Sequence, residues 1–270
     1  MAVKKEGEKR MLFSIPQALE EYKEFWLKFF PESASMTKQE AHGRVNDAIS
    51  GSGSKLPDPQ LVGYQDQVAE IYGAYEQLGP QLEGMKRLLE EIFVRDVEVK
   101  YPNLVSLGCG PGSYELWLLS KGFIEQVTLV DQSPAMLERA CTIAEALGLA
   151  ARVVIVNLEA QNTRLPSKCA DVVLCINAMH WSRKWQEWIR EAARLTKPGA
   201  PAFISFTADH ARSKIQPQNF AREMRQYFQM QSAGFMQDVE ALRQTATHNP
   251  TAFVAVSMRM FGCGKRLRHF

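Results

Sequence analysis

The sequence predicts an α/β fold in which helices cover both faces of a mainly parallel sheet. Short apolar or β-branched runs at 103–107, 126–130, 152–157, 171–176 and 201–206 alternate with segments of helical periodicity. Strands that alternate with helices are joined by right-handed crossovers, which makes neighbouring strands parallel. The 270-residue chain has 46% hydrophobic and 23% charged residues, an ordinary globular composition that suffices to bury a large core.

Before the first strand, a helix with a broad aromatic face is predicted over residues 14–30. Apolar residues recur there at helical spacing, namely Ile15, Leu19, Tyr22, Phe25, Trp26, Phe29 and Phe30. Residues 50–59 (Ser-Gly-Ser-Gly-Ser-Lys-Leu-Pro-Asp-Pro) suit neither a helix nor a central strand and predict a flexible linker. We therefore expect residues 1–60 to form a helical extension that covers a substrate pocket, and residues 61–270 to form the main domain.

The first strand runs into a glycine-rich turn. Leu104-Val105-Ser106-Leu107 is followed by Gly108-Cys109-Gly110-Pro111-Gly112, and helix-forming residues begin at Ser113. Glycines let the backbone approach a ligand closely, and the start of the helix offers free N–H groups to an anion. The third glycine arrives one residue earlier than in the Gly-x-Gly-x-x-Gly pattern of dinucleotide sites, which argues against NAD or FAD.

The second strand ends on an acidic residue, Asp131, nineteen residues after Gly112. A carboxylate at that position can accept hydrogen bonds from both hydroxyls of a ribose. Since ligands of open α/β sheets bind at the carboxyl ends of the strands, the turn and Asp131 together predict a nucleoside site.

The motifs around this site resemble those of the class I S-adenosylmethionine-dependent methyltransferases, in particular the small-molecule enzymes of methyltransferase type 11. Residues 107–112 (Leu-Gly-Cys-Gly-Pro-Gly) and 129–137 (Leu-Val-Asp-Gln-Ser-Pro-Ala-Met-Leu) resemble the first two motifs of the family. Further matches follow at 157–160, 170–181 and 193–199. The resemblance implies S-adenosyl-L-methionine as the cofactor and a methyl transfer to a small-molecule acceptor.

The resemblance covers roughly residues 60 to 261 and also implies the details of the fold. We expect a Rossmann-like, doubly wound sheet of seven strands, mostly parallel with an antiparallel last strand. A helix is expected to close at Ser232–Phe235, and the last two strands are expected as a hairpin from extended runs at 236–244 and 251–260.

Cofactor contacts follow from the resemblance residue by residue. They are Tyr72, Gly108, Cys109, Gly110, Gly112, Asp131, Gln132, Met136, Leu158, Glu159 and Asn177. In this assignment the glycines admit the cofactor, Asp131 binds the ribose, and Gln132 or Met136 flanks the adenine. Glu159 could accept from the adenine amino group, with a surface acid as the alternative, and Cys109 is expected as a small filler.

Substrate contacts are expected at Tyr64, His180 and Trp181. Residues 64–72 resemble a Tyr-Asp-x-x-Ala-x-x-Tyr helix that closes over the methionine end of the cofactor, although its tyrosines could equally pack in a core. His180 follows the fourth strand and is the one histidine placed to take a proton from an acceptor hydroxyl or carboxylic acid. A positioning or structural histidine is the alternative.

Two other function classes stay open. An rRNA or tRNA methyltransferase is disfavoured because nucleic-acid enzymes usually carry a basic face. Here residues 1–10 hold four basic and two acidic residues, residues 262–270 hold three basic residues, and the rest of the chain holds 25 basic and 28 acidic residues. The Asn/Asp-Pro-Pro-aromatic motif of amino-group nucleic-acid enzymes is also missing at 177–180. A non-catalytic cofactor-binding partner protein is the second alternative, and the intact glycines and Asp131 argue against a lost cofactor.

The cysteines and the N-terminus indicate the compartment. Five cysteines without a Cys-x-x-Cys pair predict reduced, mostly buried thiols and neither a disulfide framework nor a metal site. The charged N-terminal residues predict no secretory signal, and no apolar run approaches the roughly 20 residues of a membrane span. We expect a cytoplasmic protein whose oligomeric state the sequence leaves open.

Overall fold

The computed structural model describes residues 14–50, 60–93, 101–207, 215–236 and 253–260. Its strands are β1 (Tyr101–Leu107), β2 (Ile124–Asp131), β3 (Val153–Asn157), β4 (Val172–Ile176), β5 (Pro201–Thr207), β6 (Phe228–Met236) and β7 (Phe253–Met260). They form one seven-stranded sheet in the order β3-β2-β1-β4-β5-β7-β6.

Strands β1 to β5 are the parallel part of this sheet. The strand β1 lies between β2 and β4, with Leu104 paired to both Val127 and Val172. The pairs β2–β3 and β4–β5 are parallel as well, whereas β7 runs antiparallel to β5 and to β6. The predicted Rossmann-like α/β fold with a parallel sheet is confirmed, because each of the five predicted runs coincides with one of these strands.

The expected end of a helix at Ser232–Phe235 is wrong. These residues lie inside β6, where Ala233 pairs with Val256 and Gly234 with Ala255. Ala233 and Gly234 have low strand propensity, so the pairing with β7 decides the structure against local preference. Of the expected hairpin, the run at 251–260 coincides with β7, whereas most of the run at 236–244 lies outside the described residues.

Six helices precede the sheet in the described part of the chain, and four follow its first strand. They are α1 (Ile15–Phe29), α2 (Glu32–Ser35), α3 (Lys38–Ser50), α4 (Gln60–Ala69), α5 (Tyr72–Glu76), α6 (Leu78–Leu88), α7 (Ser113–Ser120), α8 (Pro134–Ala146), α9 (Trp185–Leu195) and α10 (Pro217–Met224). A π-helical turn, Leu89–Phe93, continues α6. None of the helices in the described ranges is both long and apolar enough to cross a membrane.

The aromatic helix predicted over 14–30 is present as α1, and it belongs to the main hydrophobic core. Tyr22 and Trp26 are fully buried, and the ring of Tyr22 lies 5.7 Å from the rings of both Tyr114 and Trp117 on α7. The helix α1 therefore packs into the core of the domain, whereas the sequence predicted an extension that only covers the substrate pocket. The boundary at residue 60 stays a prediction, since residues 51–59 of the expected linker lie outside the described ranges.

The cysteines among the described residues are all free. Cys175 is buried, whereas Cys109, Cys141 and Cys169 are half-buried. The expectation of mostly buried thiols is therefore wrong for three of these four, because Cys109 and Cys169 lie in loops beside strands and Cys141 lies on α8, whereas Cys175 lies within β4.

Candidate functional site

A cavity of about 600 Å³ lies at the carboxyl edge of the parallel strands. Its floor includes Gly108 and Gly110 after β1, Asp131 at the end of β2 and Asn177 after β4. Helices α4 and α5 line the opposite side with tyrosines. Because β2 and β4 lie on either side of β1, and adjacent strands are about 4.8 Å apart, the β2 and β4 ends of the cavity are about 10 Å apart.

The three glycines of the turn have different tasks. All three have positive φ, at 67° for Gly108, 55° for Gly110 and 69° for Gly112. A Cβ on Gly108 would meet the Cβ of Ala178 at 2.5 Å, and one on Gly112 would meet Leu129 at 3.1 Å. These two glycines are therefore needed because a larger residue would clash with its neighbours. Contrary to the expectation, Gly112 does not line the cavity.

Gly110 is the glycine that faces the open space. A Cβ there would have only Tyr72 at 3.9 Å and the sulfur of Met136 at 4.0 Å as neighbours. Both of these residues line the cavity. At this position the missing side chain leaves room for a ligand against the backbone.

Asp131 joins the end of β2 to the glycine turn. Its Oδ2 accepts a hydrogen bond from the Gly110 N–H at 2.9 Å, and its Oδ1 accepts one from the Ser133 N–H at 2.9 Å. Asp131 is only 7% exposed, and this burial raises the pKa of its carboxyl group, while the backbone hydrogen bonds oppose the rise. Each carboxylate oxygen retains a lone pair for a ligand hydroxyl.

Most of the other expected cofactor contacts line the same cavity, namely Tyr72, Cys109, Gln132, Met136, Glu159 and Asn177. Leu158, in the loop after β3, is not part of the cavity wall, whereas the next residue, Glu159, is. Glu159 is exposed at the rim and accepts a hydrogen bond from the Gln161 side chain at 2.6 Å.

A buried carboxylate that the sequence analysis missed lies beside the turn. Glu115, in the first turn of α7, is 2% exposed and lines the cavity. Its Oε1 accepts a hydrogen bond from Ser106 Oγ at 2.5 Å, while its Oε2 has no partner within the described structure. Burial raises the pKa of Glu115 to about 7. An acidic residue in the first turn of a helix is common, because it interacts favourably with the helix dipole at the surface. Nothing in the sequence therefore distinguished Glu115 as a residue of the site.

A second missed carboxylate belongs to Glu76, the last residue of α5. Its Oε2 accepts a long hydrogen bond, 3.5 Å, from the side-chain amide of Asn177. Burial raises the pKa of Glu76, opposed by the charge of Lys38 and by the hydrogen bond from Asn177. The contact joins the helical side of the cavity to the end of β4.

Aromatic rings surround the cavity near Glu76. The expected substrate contacts Tyr64 and Trp181 both line it, with ring centroids 5.7 Å apart. Tyr75, which was not expected there, lies 6.3 Å from Tyr64, and the two hydroxyl groups form a hydrogen bond. Three rings at different angles therefore bound this end of the cavity.

The structure does not bring His180 to the cavity. The segment Met179–Trp181 forms a short 3-10 turn that places Trp181 in the cavity wall and buries His180, which is 3% exposed and does not line the cavity. Its ring packs 5.4 Å from that of Trp181. The expected role of His180 as a general base or substrate contact is therefore not supported by a position in the cavity wall, and it stays a prediction.

Comparison with known proteins gives a family match and several similar folds. Residues 105–204 match the family model described as a methyltransferase domain. The cyclase SpnF has 14% identity and a TM-score of 0.58, over 67% of this chain and 81% of that chain. A protein of Galdieria sulphuraria assigned as a sarcosine dimethylglycine methyltransferase has 15% identity and a TM-score of 0.56, over 68% and 88% of the two chains.

A third similar structure is geranyl diphosphate C-methyltransferase from Streptomyces coelicolor A3(2), solved with Mg²⁺, geranyl diphosphate and S-adenosyl-L-homocysteine. It has 13% identity and a TM-score of 0.56, over 73% of this chain and 84% of that chain. At such identities the likeness shows the fold alone. Because these three proteins are named as a cyclase, a sarcosine dimethylglycine methyltransferase and a C-methyltransferase, the fold leaves the reaction on the acceptor undetermined.

Proposed function

We propose that this chain, which carries a class I S-adenosylmethionine-dependent methyltransferase domain, transfers a methyl group to a small-molecule acceptor. One observation supports this most directly. A single cavity joins a nucleoside end, at Gly110, Asp131 and Met136, to an aromatic end at Tyr64 and Trp181. A cofactor and a small acceptor can meet in such a space.

Two features of the cavity fit S-adenosylmethionine in particular. The space beside Gly110 admits a ligand against the turn, next to the carboxylate of Asp131. The partnerless Oε2 of Glu115 suits a cationic group, and the cofactor carries positive charge on its sulfur and on its amino group. When bound, the cofactor supplies a methyl group that is already activated for transfer.

The remaining work of the protein is to bind the acceptor, orient it and exclude water. We assign cofactor binding to the expected residues that line the cavity, namely Tyr72, Gly108, Cys109, Gly110, Asp131, Gln132, Met136, Glu159 and Asn177. Acceptor binding falls to the aromatic end, on the β4 side of the glycine turn.

A small-molecule acceptor is favoured over RNA by the cover and the charge of the cavity. Helices α4 and α5 contribute Tyr64, Tyr72 and Tyr75 to its wall and so cover that side of the cavity with side chains that suit a small ligand. The basic side chains that line it within the described ranges are Arg183 and Lys184, both exposed. Recognition of a nucleic acid depends on a broad basic face.

Calorimetry with S-adenosylmethionine and S-adenosylhomocysteine tests the cofactor site. We expect binding in the micromolar range, and Asp131→Ala should weaken it by about 1.5–3 kcal/mol, the cost of losing hydrogen bonds to a charged group. Asp47→Ala is the matched control, because Asp47 is exposed on α3 and does not line the cavity. Unchanged affinity in Asp131→Ala would remove the main support for this site.

Turnover is tested by the release of S-adenosylhomocysteine from S-adenosylmethionine in the presence of metabolite fractions and, separately, of total tRNA and rRNA. We expect release with the metabolite fractions only. Release with RNA alone would favour the RNA alternative. Tight cofactor binding without release in any fraction would favour a non-catalytic partner protein.

A further inference from the structure

We propose that the methyl acceptor is an amine, bound in its protonated form between the carboxylate of Glu76 and the rings of Tyr64, Tyr75 and Trp181. This inference rests on the proposed methyl transfer and names the substrate class of the same site. Its parts are the position of Glu76, the charge balance of the cavity and the aromatic wall.

Glu76 lies at the acceptor end of the cavity. Its carboxylate contacts the side chain of Asn177, which follows β4. Asp131, the expected ribose contact, ends β2 on the other side of β1. With about 10 Å between the ends of β2 and β4, a ligand whose ribose contacts Asp131 directs its far end toward Asn177 and Glu76.

No ion pair compensates the charge of Glu76 within the described part of the cavity, and the charge of Lys38 acts on it only from outside. Within the described part of the chain Glu76 forms no salt bridge, and the cavity-lining cations Arg183 and Lys184 are exposed. Lys38 on α3 is exposed as well and does not line the cavity. Glu76 is half-buried, and a partly desolvated carboxylate without an ion-pair partner in the cavity favours a ligand that brings a positive charge.

Glu115 adds a second, independent observation. It is a buried acid in the wall of the same cavity with an oxygen that has no partner among the described atoms. The cofactor end and the acceptor end therefore each have a carboxylate in the cavity wall, the buried Glu115 beside the glycine turn and the half-buried Glu76 beside Asn177. Glu115 suits the cationic cofactor, and Glu76 is available for a second cationic group.

The aromatic wall gives the same end of the cavity an affinity for cations. Tyr64, Tyr75 and Trp181 come from α4, α5 and the turn after β4, and the Tyr64 ring lies within 6.3 Å of Tyr75 and 5.7 Å of Trp181. Aromatic faces attract ammonium groups, and several rings around one point form the usual cage for alkylated amines. The rings also accept the alkyl substituents of the amine, which a purely ionic site would not.

The reaction balances with the groups that are present. Glu76 takes one N–H proton from the bound ammonium group, which frees the lone pair of the nitrogen. This lone pair forms the bond to the methyl carbon while the carbon–sulfur bond breaks and leaves its electron pair on sulfur. The product leaves as a methylated ammonium, and Glu76 returns its proton to solvent. Burial, which raises the pKa of Glu76, makes its carboxylate a better proton acceptor.

Binding of the cation can be tested without knowing the natural acceptor. Choline and its uncharged carbon counterpart, 3,3-dimethyl-1-butanol, are titrated into the full chain saturated with S-adenosylhomocysteine. We expect wild type to prefer choline by about tenfold or more and Glu76→Gln to lose this preference. Glu70→Gln is the matched control, since Glu70 precedes α5, is exposed and does not line the cavity. Equal binding of the two probes to wild type would overturn the proposal.

A second variant, Trp181→Leu, tests the same site in case Glu76→Gln does not fold. Trp181→Leu keeps an apolar side chain but removes one ring of the cage, and it should weaken choline binding by about threefold to thirtyfold. Its affinity for S-adenosylhomocysteine should stay near that of wild type. Choline affinity unchanged in Trp181→Leu would contradict the cage.

Turnover tests the chemistry with matched probes: benzylamine, benzyl alcohol, phenylmethanethiol and benzoic acid. We expect methylation of the amine, with kcat in Glu76→Gln lowered by about 10²–10⁴-fold. Faster methylation of the alcohol, thiol or acid would overturn the amine assignment while leaving the methyltransferase function intact. If S-adenosylhomocysteine does not bind at all, the proposed function fails, and the choline comparison on the free protein still decides the cation site.

Discussion

The two ends of the cavity are built in different ways. At the cofactor end, the backbone of the glycine turn meets Asp131 through a contact between residues 21 positions apart. At the acceptor end, the side chains of Glu76 and Asn177 meet across 101 positions, and the rings come from two helices and a strand end. A site made from short-range motifs can be found in a sequence, whereas a site made from distant side chains emerges only with the packing.

The cavity also depends on helices that lie outside the matched residues 105–204. The ring of Tyr72, which lines the cavity, packs 5.8 Å from Trp26 and 5.4 Å from Phe30. The first helix therefore supports the cavity wall from behind. The following predictions test how far the two ends are independent, from the largest expected effect to the smallest.

The largest effect is expected from Trp26→Ala. Trp26 is fully buried against Phe30 and Tyr72, and removing a buried tryptophan side chain costs about 3–5 kcal/mol of the free energy of unfolding. Leu27→Ala, at a neighbouring residue that is 40% exposed, should cost less than about 1 kcal/mol. Denaturant unfolding measures both. A stable Trp26→Ala protein would make residues 1–60 a detachable cover, as the sequence predicted.

This dependence on α1 explains what the sequence could and could not reveal. The strands follow from runs of β-branched residues, and the turn with Asp131 follows from glycine spacing, because both signals are local. In the sequence Glu76 and Glu115 are indistinguishable from solvated acids on helices. Only the tertiary structure brings Glu115 against Ser106 of β1 and Glu76 against Asn177 after β4.

His180 and Trp181 show the same limit at the level of one turn. Both follow β4, and the sequence gives no reason to prefer one for the cavity. The 3-10 geometry of Met179–Trp181 directs adjacent side chains to different sides, so the structure assigns Trp181 to the cavity wall and His180 to the interior.

A smaller effect is expected from the buried acid of the cofactor end. The pKa of Glu115 is about 7, above its ordinary value of 4.5. Between these values the unfolded chain ionises Glu115 and the folded chain does not, so the free energy of unfolding falls as pH rises from about 4.5 to 7. Glu115→Gln should lack this loss and be more stable than wild type at pH 8 by about 1–3 kcal/mol. Chemical denaturation across this range measures it.

The same variant should lose affinity for S-adenosylmethionine. The ionised carboxylate favours a cationic ligand, so wild-type affinity should fall as pH drops below about 7, while that of Glu115→Gln stays flat. Burial raises the pKa of the Tyr22, Tyr72 and Tyr114 hydroxyls above their ordinary value, so these neighbours of Glu115 stay neutral below pH 7. Burial also raises the pKa of Asp131, but Asp131 is present in both proteins, so the difference between the two profiles reports Glu115. If the affinities of wild type and Glu115→Gln depend on pH in the same way, the charge of Glu115 does not contribute to cofactor binding.

The smallest effect separates the two ends most sharply. Gly110→Ala and Gly122→Ala both place a Cβ on a residue with positive φ, 55° and 76°, and each should cost about 1 kcal/mol of stability for that conformation. A Cβ on Gly122 has no heavy atom within 4 Å, whereas one on Gly110 points between Tyr72 and Met136 into the cavity. Only Gly110→Ala should therefore weaken S-adenosylhomocysteine binding, by about tenfold, while choline binding to the ligand-free protein stays unchanged in both variants. If Gly110→Ala weakens choline equally, the two ends form one continuous site; if it weakens neither ligand, the turn backbone does not contact the cofactor.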